Sequence, residues 1–122
     1  MKWGIIINRR LMGKNGEQLA AGYLTENGYF ILKMNYNCRI GEIDIIATKN
    51  NVIIFVEVKY RNTDIYGYAI EAVGIHKQNK IRRVAQYFLI SEFNNTDIAC
   101  RFDVIGIDGD KLTHIELSLI HI

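Results

Sequence analysis

Asp44 stands inside Glu42-Ile43-Asp44-Ile45-Ile46, and Glu57 and Lys59 interrupt the run from Val52 to Lys59. These are the most strand-like segments of the chain, and charge within them is costly unless it is paired or used. Asn50-Asn51 between them reads as a two-residue turn, because Asn tolerates positive φ. Such a turn pairs Lys49 with Val52 and carries Asp44 opposite Glu57 and Glu42 opposite Lys59. Strand alternation then puts all four side chains on one face. Opposed β-carbons lie roughly 4.5–5.5 Å apart. Two carboxylates that close repel, and one takes a proton unless a cation lies between them. Mg²⁺ or Mn²⁺ would resolve the conflict; Mg²⁺ prefers oxygen, taking one or two carboxylates and filling its shell with water and phosphate. Lys59 on the same side could orient a water or offset charge on a phosphate. The plainer alternative is a Glu42–Lys59 cross-strand ion pair without a ligand, which leaves Asp44 facing Glu57 unexplained.

The elements that must position these groups follow from periodicity and turn residues. Residues 15–27 read as a helix with Asn15 as cap, Gln18 three positions on and Gly28 as stop. Leu19, Ala20, Tyr23 and Leu24 supply its apolar stripe, and Glu17 lies at the stripe's edge. Glu17 is either a first-turn charge favoured by the helix dipole or a site residue. Residues 29–35, 42–48 and 52–60 read as strands, and 61–68 as a polar loop. A second helix is expected over 76–91, where Ile81, Val84, Ala85, Phe88 and Leu89 recur at helical spacing. Strands over 99–107 and 112–118 flank the turn signal Asp108-Gly109-Asp110. The order α-β-β-β-α-β-β implies an α/β fold with a mixed central sheet flanked by helices.

At 122 residues, 49% hydrophobic and 23% charged, the chain is expected to form one domain over 1–122, with its core in about 13–118. The apolar run from Trp3 to Ile7 is too short for a signal sequence or a membrane span, so a cytoplasmic location is expected. Cys38 and Cys100 show no paired spacing and read as reduced thiols. His76, His114 and His121 show no metal-ligand spacing, and Arg101 with Asp103 reads as a strand-end ion pair. The net charge of +2 is unevenly spread: residues 1–41 hold six Lys/Arg against Glu17 and Glu26, a bias compatible with an anionic partner. Lys77, Lys80 and Arg83 recur on the helix side opposite Ile81, Val84 and Phe88. They form a solvated face that could neutralise phosphates, with Arg39 and Arg61 near the site strands as further candidates.

Asp44, followed after twelve residues by Glu57-Val58-Lys59, is similar to the D…(D/E)-x-K signature of the PD-(D/E)xK nuclease superfamily. More closely, "GKNGEQLAAGYLTENGYFILKMNYNCRIGEIDIIA" followed by "VIIFVEVKYR" resembles the small bacterial YraN-like proteins. Those proteins are themselves similar to archaeal Holliday junction resolvases. The likeness covers roughly 13–107, including "HKQNKIRRVAQYFL" and "RFDVIGI". It implies a restriction-endonuclease-like core with a metal-dependent phosphodiesterase site. Asp44 and Glu57 would match the metal-binding carboxylates, Glu17 the helical glutamate near the metal, and Lys59 the lysine of the signature; the carbonyl of Val58 could add a ligand. Two departures stand out: Ile43 occupies the place where the superfamily signature has Pro, and the ending "HIELSLIHI" does not follow the family pattern. Junction-cutting relatives act in pairs, so a homodimer is expected by analogy.

Three function classes follow. The first is a Mg²⁺- or Mn²⁺-dependent nuclease acting on DNA, with branched or damaged DNA among the candidate substrates, through Glu17, Asp44, Glu57 and Lys59. The second is a nucleic-acid-binding module of the same fold with little or no catalysis, whose binding would survive loss of Glu57. The third is an assembly factor that never touches nucleic acid.

Overall fold

The computed structural model describes residues 2–6, 16–60, 75–108 and 111–120. Strand β1 (Lys2–Ile6) is followed by helix α1 (Gly16–Glu26) and strands β2 (Phe30–Asn37), β3 (Glu42–Lys49) and β4 (Val52–Tyr60). Helix α2 (Ile75–Phe93) and strands β5 (Cys100–Asp108) and β6 (Lys111–Ile120) complete the order. One six-stranded sheet runs β1-β6-β5-β4-β3-β2. Among the described strands only β4 and β5 pair in parallel, so the sheet is mixed and the connection between them must cross over, as α2 does. The expected α/β architecture therefore forms, with one more strand. Residues 2–6 lie antiparallel to β6 at the sheet's outer edge. A five-residue run has no periodicity to announce its partner.

The helices cover opposite faces. Leu19, Ala20, Tyr23 and Leu24 of α1 pack with Ile45, Ala47, Ile54, Val56, Ile105 and Leu112. Val84, Ala85, Phe88 and Leu89 of α2 pack with Ile43, Ile46, Ile53, Phe55, Phe102 and Val104. A strand covered on both faces needs no polar alternation, and Ile53, Ile54, Phe55 and Val56 are buried in succession. The ring of Phe88 meets Tyr36 and Phe55 edge-on at centroid distances of 5.2 and 6.1 Å.

Two turns fix the geometry as their residue types require. Helix α1 closes with a Schellman motif: Gly28, at φ 88, donates to Thr25 O at 3.2 Å, and Tyr29 N donates to Leu24 O at 3.0 Å. Asn50 and Asn51 both hold positive φ, 52 and 65, and Lys49 pairs with Val52. This is the two-residue hairpin loop expected at that place, and it sets the β3–β4 register. Lys49 then reaches back to donate to Asn27 O at 2.8 Å, tying the hairpin to the end of α1.

Candidate active site

Asp44 lies where one rung of the β2–β3 ladder is missing. The β2–β3 pairing passes from Met34↔Ile45 to Tyr36↔Ile43, stepping over Asn35 and Asp44. Asn35 sits there in the left-handed region at φ 52, and its carbonyl accepts from Asn37 Nδ2 at 3.0 Å. Across this step the strand changes face. Ile45 packs on the α1 side of the sheet, while Ile43 packs on the α2 side. On a regular strand, residues two apart share a face.

On the other flank, the β3–β4 ladder ends at Ile45↔Val56. One step beyond it, Asp44 Oδ2 accepts from Val58 N at 2.8 Å, so the carboxylate takes the strand amide where the ladder has ended. The turn register expected from the sequence holds as far as Ile45↔Val56, but its extension does not. Asp44↔Glu57 and Glu42↔Lys59 are not sheet pairs, and regular alternation cannot put the four charges on one face. The reason is that the β3–β4 ladder stops at Ile45↔Val56 and that Ile43 and Ile45 pack on opposite faces of the sheet.

The grouping of acids survives in another form. Burial pushes the Asp44 carboxyl up; the Val58 amide works against this, while the charges of Glu17, Glu57 and Glu42, in that order, add to it, and the group reaches about 6. Asp44 and Glu57 are half-buried and Lys59 is exposed. Glu17, from the first turn of α1, is also half-buried, with one carboxylate oxygen wholly enclosed. Glu57 and Lys59 alternate along β4 with Val56 and Val58, which pack toward α1. On β5 they stand opposite Val104 and Gly106.

Among the described residues, no group of three or more His, Cys, Asp or Glu side chains is close enough to hold a metal by itself. The donors instead fit a hard, water-rich cation, which needs only one or two carboxylates. Asp44 with Glu57 or Glu17 would be that set, and a cation there would offset the burial and the neighbouring acidic charges that together raise Asp44.

Of the basic candidates, Lys80 lies close to the turn that leads into β3. A β-carbon built on Gly41 would lie 2.9 Å from Lys80 Cε, 3.7 Å from its Nζ and 3.4 Å from Val84 Cγ2. Lys80 is exposed, yet it is not opposite the apolar stripe as the spacing suggested. One turn before Val84, it leans over the β2–β3 turn, which Cys38 N closes by donating to Gly41 O at 3.0 Å. That tight approach explains the glycine immediately before Glu42, a signal present in the sequence but not used. Arg39 is exposed on the same turn and Arg83 is exposed on α2. The side chain of Lys77 and all of Arg61 lie outside the described residues.

Residues 16–107 match the family described as "Uncharacterised protein family UPF0102". A UPF0102 protein of Lachnoclostridium phytofermentans is 46% identical over 110 residues, covering 90% of this chain and 93% of the relative. One from Caldanaerobacter subterraneus subsp. tengcongensis is 45% identical over 109 residues, 88% of each chain. One from Alkaliphilus oremlandii is 46% identical over 115 residues, 90% of this chain and 97% of the relative. The chain belongs to this family, the YraN-like family of the restriction-endonuclease-like superfamily.

Proposed function

We propose that this member of UPF0102 is a metal-dependent nuclease that hydrolyses phosphodiester bonds, with DNA as substrate. The observation that carries the reading is Asp44: a carboxyl held by the Val58 amide at 2.8 Å, beneath the charges of three further acids, at an interruption of the sheet. Structural acids are placed where their charge is stabilised, whereas this one is placed where its charge is opposed. Asp44 and Glu57 would hold Mg²⁺ or Mn²⁺, with Glu17 contributing directly or through water and the Val58 carbonyl as a further oxygen. The bound cation would supply positive charge at the phosphate oxygens and lower the pKa of a water. Lys59 would hold the attacking water and offset charge developing on phosphorus-bound oxygens. Water oxygen bonds to phosphorus, one P–O ester bond breaks, and the departing oxygen takes a proton. Lys80, Arg39 and Arg83 would meet neighbouring phosphates of the strand.

A second reading has one observation on its side: no three acids among the described residues form a ready-made metal cluster. On it, the chain is a nucleic-acid-binding module of the same fold. Incubation of branched, single-stranded and duplex DNA with Mn²⁺ separates the two. Cleavage that is stopped by EDTA and lost in Asp44→Asn and Glu57→Gln is expected. Binding without cleavage of any of the three would support the module instead. No helix among the described residues is long and apolar enough to cross a membrane.

A further inference from the structure

On the α1 side of the sheet lies a buried polar chain outside the acidic site. Tyr23 Oη and His114 Nδ1 are 2.8 Å apart, and His114 Nε2 and Asp103 Oδ2 are 2.6 Å apart. Arg101 closes on the same carboxylate, Nε to Oδ1 at 2.7 Å and one terminal nitrogen to Oδ2 at 2.8 Å. That terminal nitrogen also donates to Tyr29 Oη at 2.8 Å, and the other lies 3.1 Å from Glu116. Asp103 is 0% exposed and His114 2%. Arg101 and Asp103 form the ion pair their spacing suggests, near the start of β5, and they are also the base of a network that reaches from β5 through β6 to α1.

We infer that Tyr23, His114 and Asp103 are positioning residues for the acidic site: they fix how far α1 lies along the sheet, and so where Glu17 stands relative to Asp44. The functional half of this inference rests on the nuclease reading; the geometric half does not. Apolar packing is non-directional, so the face that α1 buries through Gly16, Leu19, Ala20 and Leu24 decides which side turns inward more than where the helix rests along its axis. Such a face tolerates a slide of one residue, about 1.5 Å along the axis. A chain of hydrogen bonds does not, because a hydrogen bond weakens steeply with distance and misalignment. Glu17 is six residues before Tyr23, about 9 Å along a helix, so a shift at the anchor is passed rigidly to the first turn. Burying Asp103, His114 and Tyr23 together costs desolvation that apolar residues would not incur, which points to a gain in register rather than in stability.

The test uses the full chain and three variants: Tyr23→Phe, Asp103→Asn and, as a control matched for lost stability, Phe88→Leu on the α2 side. The reporter is the native-state amide signal of Val58, whose proton rests on Asp44, read together with those of Gly16 to Ala20. Both network variants are expected to move these signals while Phe88→Leu leaves them in place. They are also expected to weaken Mn²⁺ binding by about tenfold, the low end of the loss seen when supporting partners of metal ligands are removed. Unmoved signals in Tyr23→Phe, shifts no larger than in Phe88→Leu, or unchanged Mn²⁺ affinity would overturn the inference. If the amides move but the wild type takes up no Mn²⁺, the positioning stands and the metal reading falls.

Discussion

At Asp44 stability and chemistry pull in opposite directions. Its carboxyl ionises near 3.8 as a free side chain and near 6 in the folded protein. Between those values the folded state holds the proton more firmly, so this group's contribution is most favourable below about pH 4 and is lost as pH rises through 6. Two pKa units correspond to roughly 3 kcal/mol at most, and partial solvent screening at a half-buried site reduces that to about 1–2 kcal/mol. Asp44→Asn keeps an oxygen for the Val58 amide and removes the charge. It should raise stability by about 1–2 kcal/mol at pH 7.5, with the gain vanishing near pH 4, while Mn²⁺ binding is lost. Urea denaturation at the two pH values measures it. An Asp44→Asn protein less stable than wild type at pH 7.5 would show that the native environment favours the ionised carboxyl. The residue types of the site were legible because charge stands out in an apolar run. The relation of Asp44 to Glu17 was implied only by the family resemblance, since nothing in the spacing from 17 to 44 says that α1 lies over β3.

At the scale of elements, the β3–β4 hairpin is set by its turn. Asn50 and Asn51 sit at φ 52 and 65, where an ordinary side chain costs about 1–2 kcal/mol. Asn51→Ala should therefore lower stability by about 1 kcal/mol without changing the denaturant slope. A null result would mean that the strands, not the loop, hold the register. The contact of α2 with the β2–β3 turn makes a second element-level prediction. In Gly41→Ala the new β-carbon would meet the flexible end of Lys80 at 2.9 Å, so the lysine must swing away while the fold stays intact. Nucleic-acid affinity should fall with little change in Tm, and Gly41→Ala combined with Lys80→Gln should be no weaker than Lys80→Gln alone. Additive losses in that cycle would show that Gly41 acts through something other than Lys80.

For the molecule as a whole, a net charge of +2 supplies little long-range attraction, so on the proposed nuclease reading affinity for DNA would come from local contacts. Each phosphate neutralised by a lysine releases about one counterion, and log affinity falls with log salt by about 0.9 per contact on duplex DNA. Lys80→Gln is expected to lower that slope by about one and to weaken binding equally across sequences. An unchanged slope would place Lys80 off the path of the strand. On that reading α1 would bring Glu17, the central hairpin Asp44, Glu57 and Lys59, and α2 Lys80.

The sequence by itself determined the helices, five of the six strands, the hairpin register near its turn and the acids that stand out from apolar surroundings. Each of these is written in local periodicity, turn chemistry or motif. The tertiary structure alone decided the rest. Strand β1 needed β6 as its partner, and the change of face between Ile43 and Ile45 falls where the Asn35 rung of the β2–β3 ladder is missing. Lys80 reached Gly41 only because α2 crosses the turn. The Tyr23–His114–Asp103–Arg101 network joins residues 91 positions apart, from Tyr23 to His114. Directional bonds of that kind depend on where packed elements come to rest, and no window along the chain contains both ends.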